Sequence, residues 1–228
     1  MSRLVALVPM KGHSERVPNK NLRTFNGRPL CHWVLNTLDA TPEVDEIVVN
    51  TDSEEIAAEA ERFGATAFER PEALRGDYVE MNDILLHDVR RTDSDLYLQT
   101  HCTNPLLRSG TVSEAVVAFE EQDCDSLFSV TPLQTRLWDA DGEPINHRRD
   151  ELKRTQDLPP VYEENSNLYV FTGESIERRD NRIGDDPAMF PMEAFEAIDI
   201  DELIDFRIAE MLHRDRYGAE PSLETAAE

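Results

Sequence analysis

The sequence predicts an α/β protein built on a doubly wound, mostly parallel β-sheet with helices on both faces. Short apolar runs alternate with longer amphipathic segments over more than half of the chain. These runs lack polar alternation, which is typical of strands buried on both faces of a parallel sheet. The length of 228 residues is sufficient for one such domain with a substantial core.

The first strand–helix–strand unit establishes the pattern. The run RLVALVP predicts a strand at residues 3–9, and EIVVNT predicts another at 46–51. Between them, residues 29–40 carry apolar side chains at helical spacing, with Pro29 in the first turn, where proline is tolerated. Two strands joined through a helix favour parallel pairing.

A second helix is predicted at residues 52–64. Asp52 can cap its N-terminus, and Gly64 fits the position just past its end. The alternation then continues to residue 131. Its predicted elements are, in chain order, a helix at 81–91, a strand at 95–100, a helix at 109–121 capped by Ser109, and a strand at 126–131.

The regular alternation ends at residue 132. Residues 132–165 contain prolines, asparagines and charged residues without a period, and we expect a small excursion from the sheet that forms a lid or dimer contacts. The remaining predicted elements are strands at 167–172 and 193–200 and a helix at 201–214. Together they predict a single domain over residues 1–215, followed by an acidic, disordered tail at 216–228.

The composition is strongly acidic, with 47 Asp+Glu against 23 Lys+Arg and a net charge of −24. Binding of nucleic acid or of an anionic membrane needs a basic face, so the sequence predicts neither partner. The acidic, lysine-poor composition suits a high-salt cytoplasm, where screening removes most of the self-repulsion. It therefore favours a halophilic source.

The cysteines and the N-terminus indicate the compartment. Cys31, Cys102 and Cys124 are widely spaced and form no CxxC pair, so neither a disulfide framework nor a zinc site is suggested. The first apolar run is too short for a signal peptide, and no stretch approaches the ~20 apolar residues of a membrane span. We therefore expect a cytoplasmic protein.

The loop after the first predicted strand, VPMKGHSERVPNKN, concentrates positive charge. It holds two of the chain's three lysines, Lys11 and Lys20, with Ser14 and Arg16 between them. In open α/β sheets, ligands bind beyond the carboxyl ends of the strands, where this loop lies. The loop matches neither the Walker-type nor the dinucleotide-binding glycine pattern. Its cations and backbone N–H groups nevertheless favour a triphosphate ligand over a solvated turn.

Asp199 and Asp201 form a second candidate site, at the end of the strand predicted at 193–200. Residues two apart on a strand share a face, so both carboxylates can point at one ligand. Paired carboxylates suit Mg²⁺, which also takes water and phosphate oxygens. In so acidic a chain, the same spacing also fits a solvated surface, and the pattern alone leaves both interpretations open.

Read together, these segments resemble the acylneuraminate cytidylyltransferases, the CMP-sialic acid synthetases, and the related 3-deoxy-manno-octulosonate cytidylyltransferases. VPMKGHSERVPNKN resembles the family's opening P-A-R-G-G-S-K-R-I-P-x-K-N, and AIDIDELIDFRIAE resembles its closing D-I-D-x-x-x-D segment. Between them, NTDSEEIAAEAERFGA, ERPEAL, LQTHCTNPLLR and ENSNLYVF follow the family's order. The resemblance implies a nucleotide-diphospho-sugar transferase-like, Rossmann-like fold, and a homodimer in which the excursion reaches the partner subunit.

The resemblance also implies a reaction, in which CMP is transferred from CTP to the anomeric hydroxyl of a sialic-acid-like, nonulosonic sugar acid. Pyrophosphate is released, and the cofactor is Mg²⁺ or Mn²⁺. The implied catalytic residues are Lys11, Arg16, Lys20 and Asp201, and the implied metal ligands are Asp199 and Asp201. The implied nucleotide and substrate contacts are Lys11, Gly12, Ser14, Arg16, Lys20, Asn21, Arg70, Gln99, Asn165 and Tyr169.

The sequence departs from the family pattern around ligand recognition. Lys11 replaces an arginine and lacks its bidentate fork, and Glu15 adds a carboxylate near the triphosphate. The loop at 99–108 is longer than in the family, so Thr103 or Asn104 can read the base in place of Gln99. Two alternatives stay open: a nucleotidyltransferase acting on a phosphorylated sugar or another small acceptor, and a non-catalytic nucleotide-binding protein on the same fold.

Overall fold

The described residues, 3–151 and 153–218 of a computed structural model, alternate between strands and helices. The strands are β1 (Leu4–Leu7), β2 (Thr24–Phe25), β3 (Arg28–Pro29), β4 (Glu46–Thr51), β5 (Thr66–Glu69), β6 (Leu96–Thr100), β7 (Ser126–Leu133), β8 (Val161–Thr172) and β9 (Pro187–Pro191). The α-helices are α1 (Cys31–Asp39), α2 (Glu54–Arg62), α3 (Met81–Val89), α4 (Ser109–Glu121), α5 (Gly173–Arg179) and α6 (Leu203–Tyr217).

Seven of these strands form one sheet, in the order β5-β4-β1-β6-β8-β7-β9. Neighbouring strands run parallel except at β8, which is antiparallel to both β6 and β7. The predicted mostly parallel α/β sheet is therefore confirmed. The pairing of β6 with β8 sets Gln99 beside Tyr169, close to the end of β6. β2 and β3 form a small separate hairpin.

The sheet carries helices on both faces, as predicted, because side chains of a strand alternate between its faces. Leu4 and Ala6 of β1 belong to a core shared with α1, α2 and α4. Val5 and Leu7 belong to a second core, shared with α3 and α5. β1 is buried on both sides, which explains why its sequence is an unbroken apolar run.

The predicted element bounds agree with the structure at most positions, and the bounds 46–51 and 109–121 match β4 and α4. Two predicted helix caps are wrong. Ser53, not Asp52, caps α2, its hydroxyl oxygen accepting a hydrogen bond from the Ile56 N–H at 3.4 Å. Ser109 is the first residue of α4 rather than its cap. Asp52 instead holds the opening loop, by accepting a hydrogen bond from the Gly12 N–H.

The strand predicted at 193–200 is wrong. The structure instead forms a strand earlier in the chain, β9 at Pro187–Pro191. Residues 194–197 turn back, and the Glu196 and Ala197 N–H groups both donate to the Glu193 carbonyl, at 3.0 and 3.2 Å. The Glu196 carboxylate is buried and accepts hydrogen bonds from Arg108 and Thr111. These contacts hold the segment in a turn, despite the strand-like alternation of its sequence. β9 itself begins and ends with proline, as an edge strand tolerates.

The excursion is shorter than predicted, because β7 and β8 both extend into it and leave residues 134–160 outside the sheet. Helix α6 passes the predicted domain end at 215, and residues 219–228 of the predicted tail lie outside the described residues. The strands and α-helices that the sequence did not predict are β2, β3, β5, β9 and α5. Within the described ranges, no helix has both the length and the apolar character needed to cross a membrane.

Candidate functional site

A pocket of about 440 Å³ opens at the carboxyl ends of β1 and β6, the edge where the sequence analysis placed the ligand. Predicted site residues from distant parts of the chain meet in its wall. They are Lys11, Ser14, Arg16, Lys20, Asn21, Asp199 and Asp201. Side chains that were not predicted as site residues complete the wall, among them Met81, His101, Cys102 and Ser166.

A larger cavity, of about 820 Å³, lies between α1 and the start of α4. None of the predicted site residues lines it. Its Arg108 side chain is already paired with the buried Glu196 carboxylate. We assign the chemistry to the smaller pocket, where Lys11, Arg16 and Lys20 lie in one wall with the predicted Asp199–Asp201 pair.

The opening loop is fixed against the ends of β4 and β6. The Gly12 N–H donates to the Asp52 carboxylate at 2.7 Å. The Asn21 side-chain N–H donates to the Lys11 carbonyl at 2.8 Å, and its amide oxygen accepts from the Cys102 thiol at 2.8 Å. Asn21 thus shapes the loop with both ends of its amide, and its predicted contact with a nucleoside stays a prediction.

Gly12 is required by a close approach, because a Cβ there would lie 2.9 Å from the Ser53 Cβ. We expect Gly12→Ala to displace the loop and to weaken binding of a nucleoside triphosphate about tenfold or more, since losing one hydrogen bond to a charged phosphate costs about 1.5–3 kcal/mol. Titration calorimetry measures the effect. Gly110→Ala is the matched control, because its Cβ would meet no atom within 4 Å. Wild-type affinity in Gly12→Ala would contradict the assignment.

Two lysines of the opening loop line the pocket, and the side-chain nitrogen of each has a single partner among the described residues. Lys20 Nζ donates to the Ile200 carbonyl at 2.7 Å. Lys11 Nζ pairs with Asp77 at 3.3 Å, and both side chains of this pair are partly exposed. Exposed ion pairs contribute only about 0–1 kcal/mol. An anionic ligand can therefore displace Asp77 at little cost.

The two aspartates line the same pocket, although the strand geometry predicted for them is wrong. Arg16 donates to Asp201 Oδ1 at 2.7 Å on the exposed side. Asp199 Oδ1 is buried and has no hydrogen-bond partner among the described residues. Burial raises the pKa of Asp199, the Thr103 hydrogen bond lowers it, and the nearby Asp201 charge raises it. A buried carboxylate oxygen without a donor is costly unless a cation satisfies it.

The described part of the chain contains no cluster of three or more His, Cys, Asp or Glu side chains suited to hold a metal. Asp199 and Asp201 therefore have no third carboxylate, imidazole or thiolate placed to share a metal with them in that part of the chain. A divalent cation on this pair would need most of its ligands from elsewhere, which is the usual arrangement for Mg²⁺ bound with phosphates and water.

Arg70 lies beneath the opening loop rather than in the pocket, with 1% of its surface exposed. Its Nε donates to Asn50 Oδ1 at 2.7 Å, and its Nη2 donates to the Met10 carbonyl at 3.2 Å. The Asn50 side-chain N–H in turn donates to the buried Asp88 carboxylate at 2.6 Å. Arg70 thus shapes the loop from below, and the nucleoside contact implied by resemblance stays a prediction.

Gln99 and Tyr169 are also buried, side by side on β6 and β8. Arg182, which the sequence analysis missed, joins them: its guanidinium lies 3.6 Å from the centroid of the Tyr169 ring and donates to Gln99 Oε1 at 2.6 Å. Burial raises the pKa of Tyr169 to about 12. Arg182 lies in DNRIGDD, an irregular segment in an arginine-rich chain, where no pattern distinguishes it.

Asn165 lines a second cavity at the candidate site, of about 450 Å³, which adjoins the pocket of about 440 Å³. The two cavities share Ser166, Asp199 and Asp201 in their walls. Glu164 adds a hydrogen-bond acceptor to the second cavity. Two ligands can therefore meet at the aspartates, one in the cavity lined by cations and one in the cavity lined by Asn165.

Comparisons with known proteins identify relatives over nearly the whole chain. The family model described as "Cytidylyltransferase" matches residues 5–219. Post-translational flagellin modification protein B of Campylobacter coli is 26% identical, over 95% of this chain and 97% of that protein. Pseudaminic acid cytidylyltransferase of Campylobacter jejuni is 26% identical, over 92% and 96%. N-acylneuraminate cytidylyltransferase A of Danio rerio is 29% identical, and the match spans 90% of this chain but 49% of the fish protein.

Two solved structures share the fold. One is CMP:2-keto-3-deoxy-manno-octonic acid synthetase complexed with CTP, with a TM-score of 0.72 and 15% identity over 94% of this chain and all of that one. The other is 4-diphosphocytidyl-2C-methyl-D-erythritol synthase of Anaerococcus prevotii, with a TM-score of 0.66 and 14% identity over 92% and 95%. At these identities the likeness concerns the fold alone.

Proposed function

This chain belongs to the cytidylyltransferase family, and on that premise we propose that it transfers CMP from CTP to the anomeric hydroxyl of a sialic-acid-like, nonulosonic sugar acid, releasing pyrophosphate. The observation that carries the proposal is the pocket in which Lys11, Arg16 and Lys20 face Asp199 and Asp201. The names of the relatives, which act on N-acylneuraminate and pseudaminic acid, support the class of acceptor.

In the proposed reaction, the anomeric oxygen bonds to the α-phosphorus of CTP while the bond from this phosphorus to the bridging oxygen breaks. Pyrophosphate leaves with the electron pair, and the hydroxyl proton is released to solvent. Lys11, Arg16 and Lys20 bind the phosphates, and Lys20 stabilises the charge on the transferring group. Positioning and electrostatics supply most of the catalysis in such transfers. Two adjoining cavities that share Asp199 and Asp201 support this geometry, because they offer room for two substrates side by side.

We propose that Asp199 and Asp201 hold Mg²⁺ or Mn²⁺ together with CTP. The buried, unpartnered Asp199 Oδ1 supports this assignment. The ion, when bound, neutralises phosphate charge and lowers the pKa of the attacking hydroxyl.

The change Asp199→Asn is expected to remove the effect of Mg²⁺ on CTP binding. In the wild type, Mg²⁺ added with CTP should raise the temperature of thermal unfolding, and in the variant this rise should disappear. Without ligands the variant should be as stable as the wild type or more so, because it no longer buries a carboxylate oxygen without a donor. Asp141→Asn, at an exposed position in the excursion, is the control. An undiminished Mg²⁺ effect in Asp199→Asn would refute the ligand assignment.

The assembly and setting follow from the same proposal. We propose a single catalytic domain over residues 1–215 that forms a homodimer through the excursion. The exposed Trp138 and Ile145 side chains support a protein contact there, and a monomer in sedimentation analysis would exclude it. We also propose a high-salt cytoplasm as the setting, supported by the net charge of −24. Inhibition of the enzyme by molar salt would contradict this setting.

A screen of pyrophosphate release tests the activity directly. Each nucleoside triphosphate is combined with a panel of sugar acids and sugar phosphates, in high salt with Mg²⁺. We expect turnover with CTP and a nonulosonic acid. Turnover with a sugar phosphate instead would establish the rival nucleotidyltransferase. Nucleotide binding without turnover on any acceptor would favour a non-catalytic protein.

A further inference from the structure

Three hydrogen-bonded side chains, Arg182, Gln99 and His101, lead from the interior of the sheet into the pocket wall. Arg182 Nη1 donates to Gln99 Oε1 at 2.6 Å. Gln99 Nε2 and His101 Nε2 are hydrogen bonded at 3.0 Å. Gln99 and His101 are two residues apart at the end of β6, which brings their side chains to the same side of the strand. Of the three, His101 is the residue that lines the pocket.

The hydrogen-bond donors and acceptors of these three side chains determine which ring nitrogen of His101 carries the proton. A guanidinium only donates, so the Gln99 oxygen faces Arg182 and the Gln99 nitrogen faces His101. An amide nitrogen also only donates, so His101 Nε2 must accept, and the proton of the neutral ring lies on Nδ1. Nδ1 makes no hydrogen bond to any described residue, which leaves this donor for a ligand in the pocket.

The surrounding charges keep the ring neutral. Burial, Arg182 and Lys20 together lower the pKa of His101 to about 3. Burial lowers the pKa of Arg182, whereas Tyr169 and Glu164 of β8 raise it. Burial raises the pKa of Asp199, whereas the charge of Lys20 lowers it. Asp201, farther along the same wall, is paired with Arg16 of the opening loop. His101 thus presents a donor without a charge beside the cations that bind phosphate.

Arg182 is itself held in place by two neighbouring side chains, which limits the movement of the three hydrogen-bonded side chains. Its guanidinium stacks on the Tyr169 ring, and its backbone N–H donates to Asn82 Oδ1 at 3.2 Å. The Tyr169 hydroxyl is hydrogen bonded to Glu164 and to Ser166, which lines both cavities. The orientation of His101 is therefore determined by the buried Gln99 and Tyr169 side chains together with the half-buried Arg182.

We propose that His101 is a substrate-binding residue, oriented by the positioning residues Arg182 and Gln99, and that its Nδ1–H donates to an uncharged oxygen of a bound substrate. Such an oxygen is present both as the carbonyl of the nucleobase and as a hydroxyl of the sugar acid. The neighbouring lysines bind the phosphate oxygens in the proposed reaction. The neutral His101 donor therefore recognises another part of the ligand. Gln99 then acts on the substrate through His101 rather than by direct contact. The identity of the substrates in this inference rests on the proposed function, whereas the protonation state of the His101 ring does not.

Nitrogen-15 NMR of the imidazole groups tests the state of the ring in the protein without substrates. We expect His101 to show a protonated Nδ1 and an unprotonated Nε2, with no titration between pH 8 and pH 5. In Arg182→Met, the ring should lose this single tautomer, and its pKa should rise toward the ordinary value of about 6.5. A proton on Nε2 in the wild type, or titration near pH 6.5, would overturn the proposal whatever the reaction proves to be.

Two variants of His101 test the contact with substrate. Phenylalanine removes the donor, whereas asparagine places a side-chain N–H close to the position of Nδ1. His101→Phe should weaken binding of one substrate about 3- to 10-fold, the worth of a neutral hydrogen bond, with a smaller change in kcat, and His101→Asn should restore much of the loss. His32→Phe, on α1 outside the pocket, is the control.

The affected substrate identifies the acceptor oxygen. A weaker affinity for CTP alone, measured by calorimetry without acceptor, would indicate the nucleobase. An unchanged CTP affinity with a raised KM for the sugar acid would indicate the sugar. If both constants are unchanged in His101→Phe, the proposed contact is wrong. The CTP measurement needs no turnover, so failure of this inference can be told apart from failure of the proposed reaction.

Discussion

Lys20→Ala is expected to lower kcat for CTP-dependent pyrophosphate release by about 10²- to 10³-fold, the usual loss when one group that stabilises transition-state charge is removed. Lys20 lies in the pocket between the opening loop and the aspartates, and its one hydrogen bond inside the described protein is to the Ile200 carbonyl. That carbonyl accepts a hydrogen bond from water as readily. The variant should therefore fold normally, with an almost unchanged free energy of unfolding.

The chain offers a matched control for this experiment in Lys153, the lysine outside the opening loop. Lys153 lies in the excursion, half exposed, and is paired with Glu151 at 3.3 Å. Lys153→Ala removes the same charge from the molecule and should leave kcat unchanged. If Lys20→Ala and Lys153→Ala both turn over at the wild-type rate, Lys20 does not stabilise the transferring phosphoryl group. If both lose activity equally, the loss reflects net charge rather than position.

The predicted site residues that the structure brings into one pocket are mainly those whose chemistry is visible locally in the sequence. The opening loop is distinctive because two of three lysines occur within it, and it follows a strand that is apolar throughout. The aspartate pair was predicted from spacing on a strand, yet the structure brings Asp199 and Asp201 to the pocket on an irregular segment. The two carboxylates therefore share a pocket, although the strand geometry predicted for them was wrong.

The parts that the sequence did not reveal depend on tertiary contacts. The segment at 193–200 has the alternation of a strand, but the buried Glu196 carboxylate satisfies Arg108 across 88 residues and fixes a turn instead. Arg182 has no periodic context, and its partner Gln99 lies 83 residues away in the chain. The one local signal for this cluster is the spacing of Gln99 and His101 on one strand face. It becomes informative only when the third member is known.

Arg70→Met is expected to destabilise the fold by about 3–5 kcal/mol, the cost of leaving one member of a buried charged network without its partner. Arg70 reaches Asp88 through Asn50, with hydrogen bonds of 2.7 and 2.6 Å, and neither charged side chain is more than 1% exposed. The variant also removes the donor to the Met10 carbonyl, so the opening loop should loosen and CTP affinity should fall. Urea unfolding measures the first effect and calorimetry the second. Arg90→Met, at an exposed position on the end of α3, is the control.

The pH dependence separates lost charge pairing from lost packing. Burial raises the pKa of the Asp88 carboxyl, while hydrogen bonds from His87 and Asn50 and the charge of Arg70 lower it. Without Arg70 this pKa must rise further, whereas the unfolded-state pKa is unchanged. The stability difference between wild type and Arg70→Met is therefore largest at neutral pH and shrinks as pH falls through the range where Asp88 binds its proton. The double variant Arg70→Met, Asp88→Asn should recover part of the loss at neutral pH. A difference independent of pH, with no recovery, would mean that Arg70 stabilises the fold by packing alone.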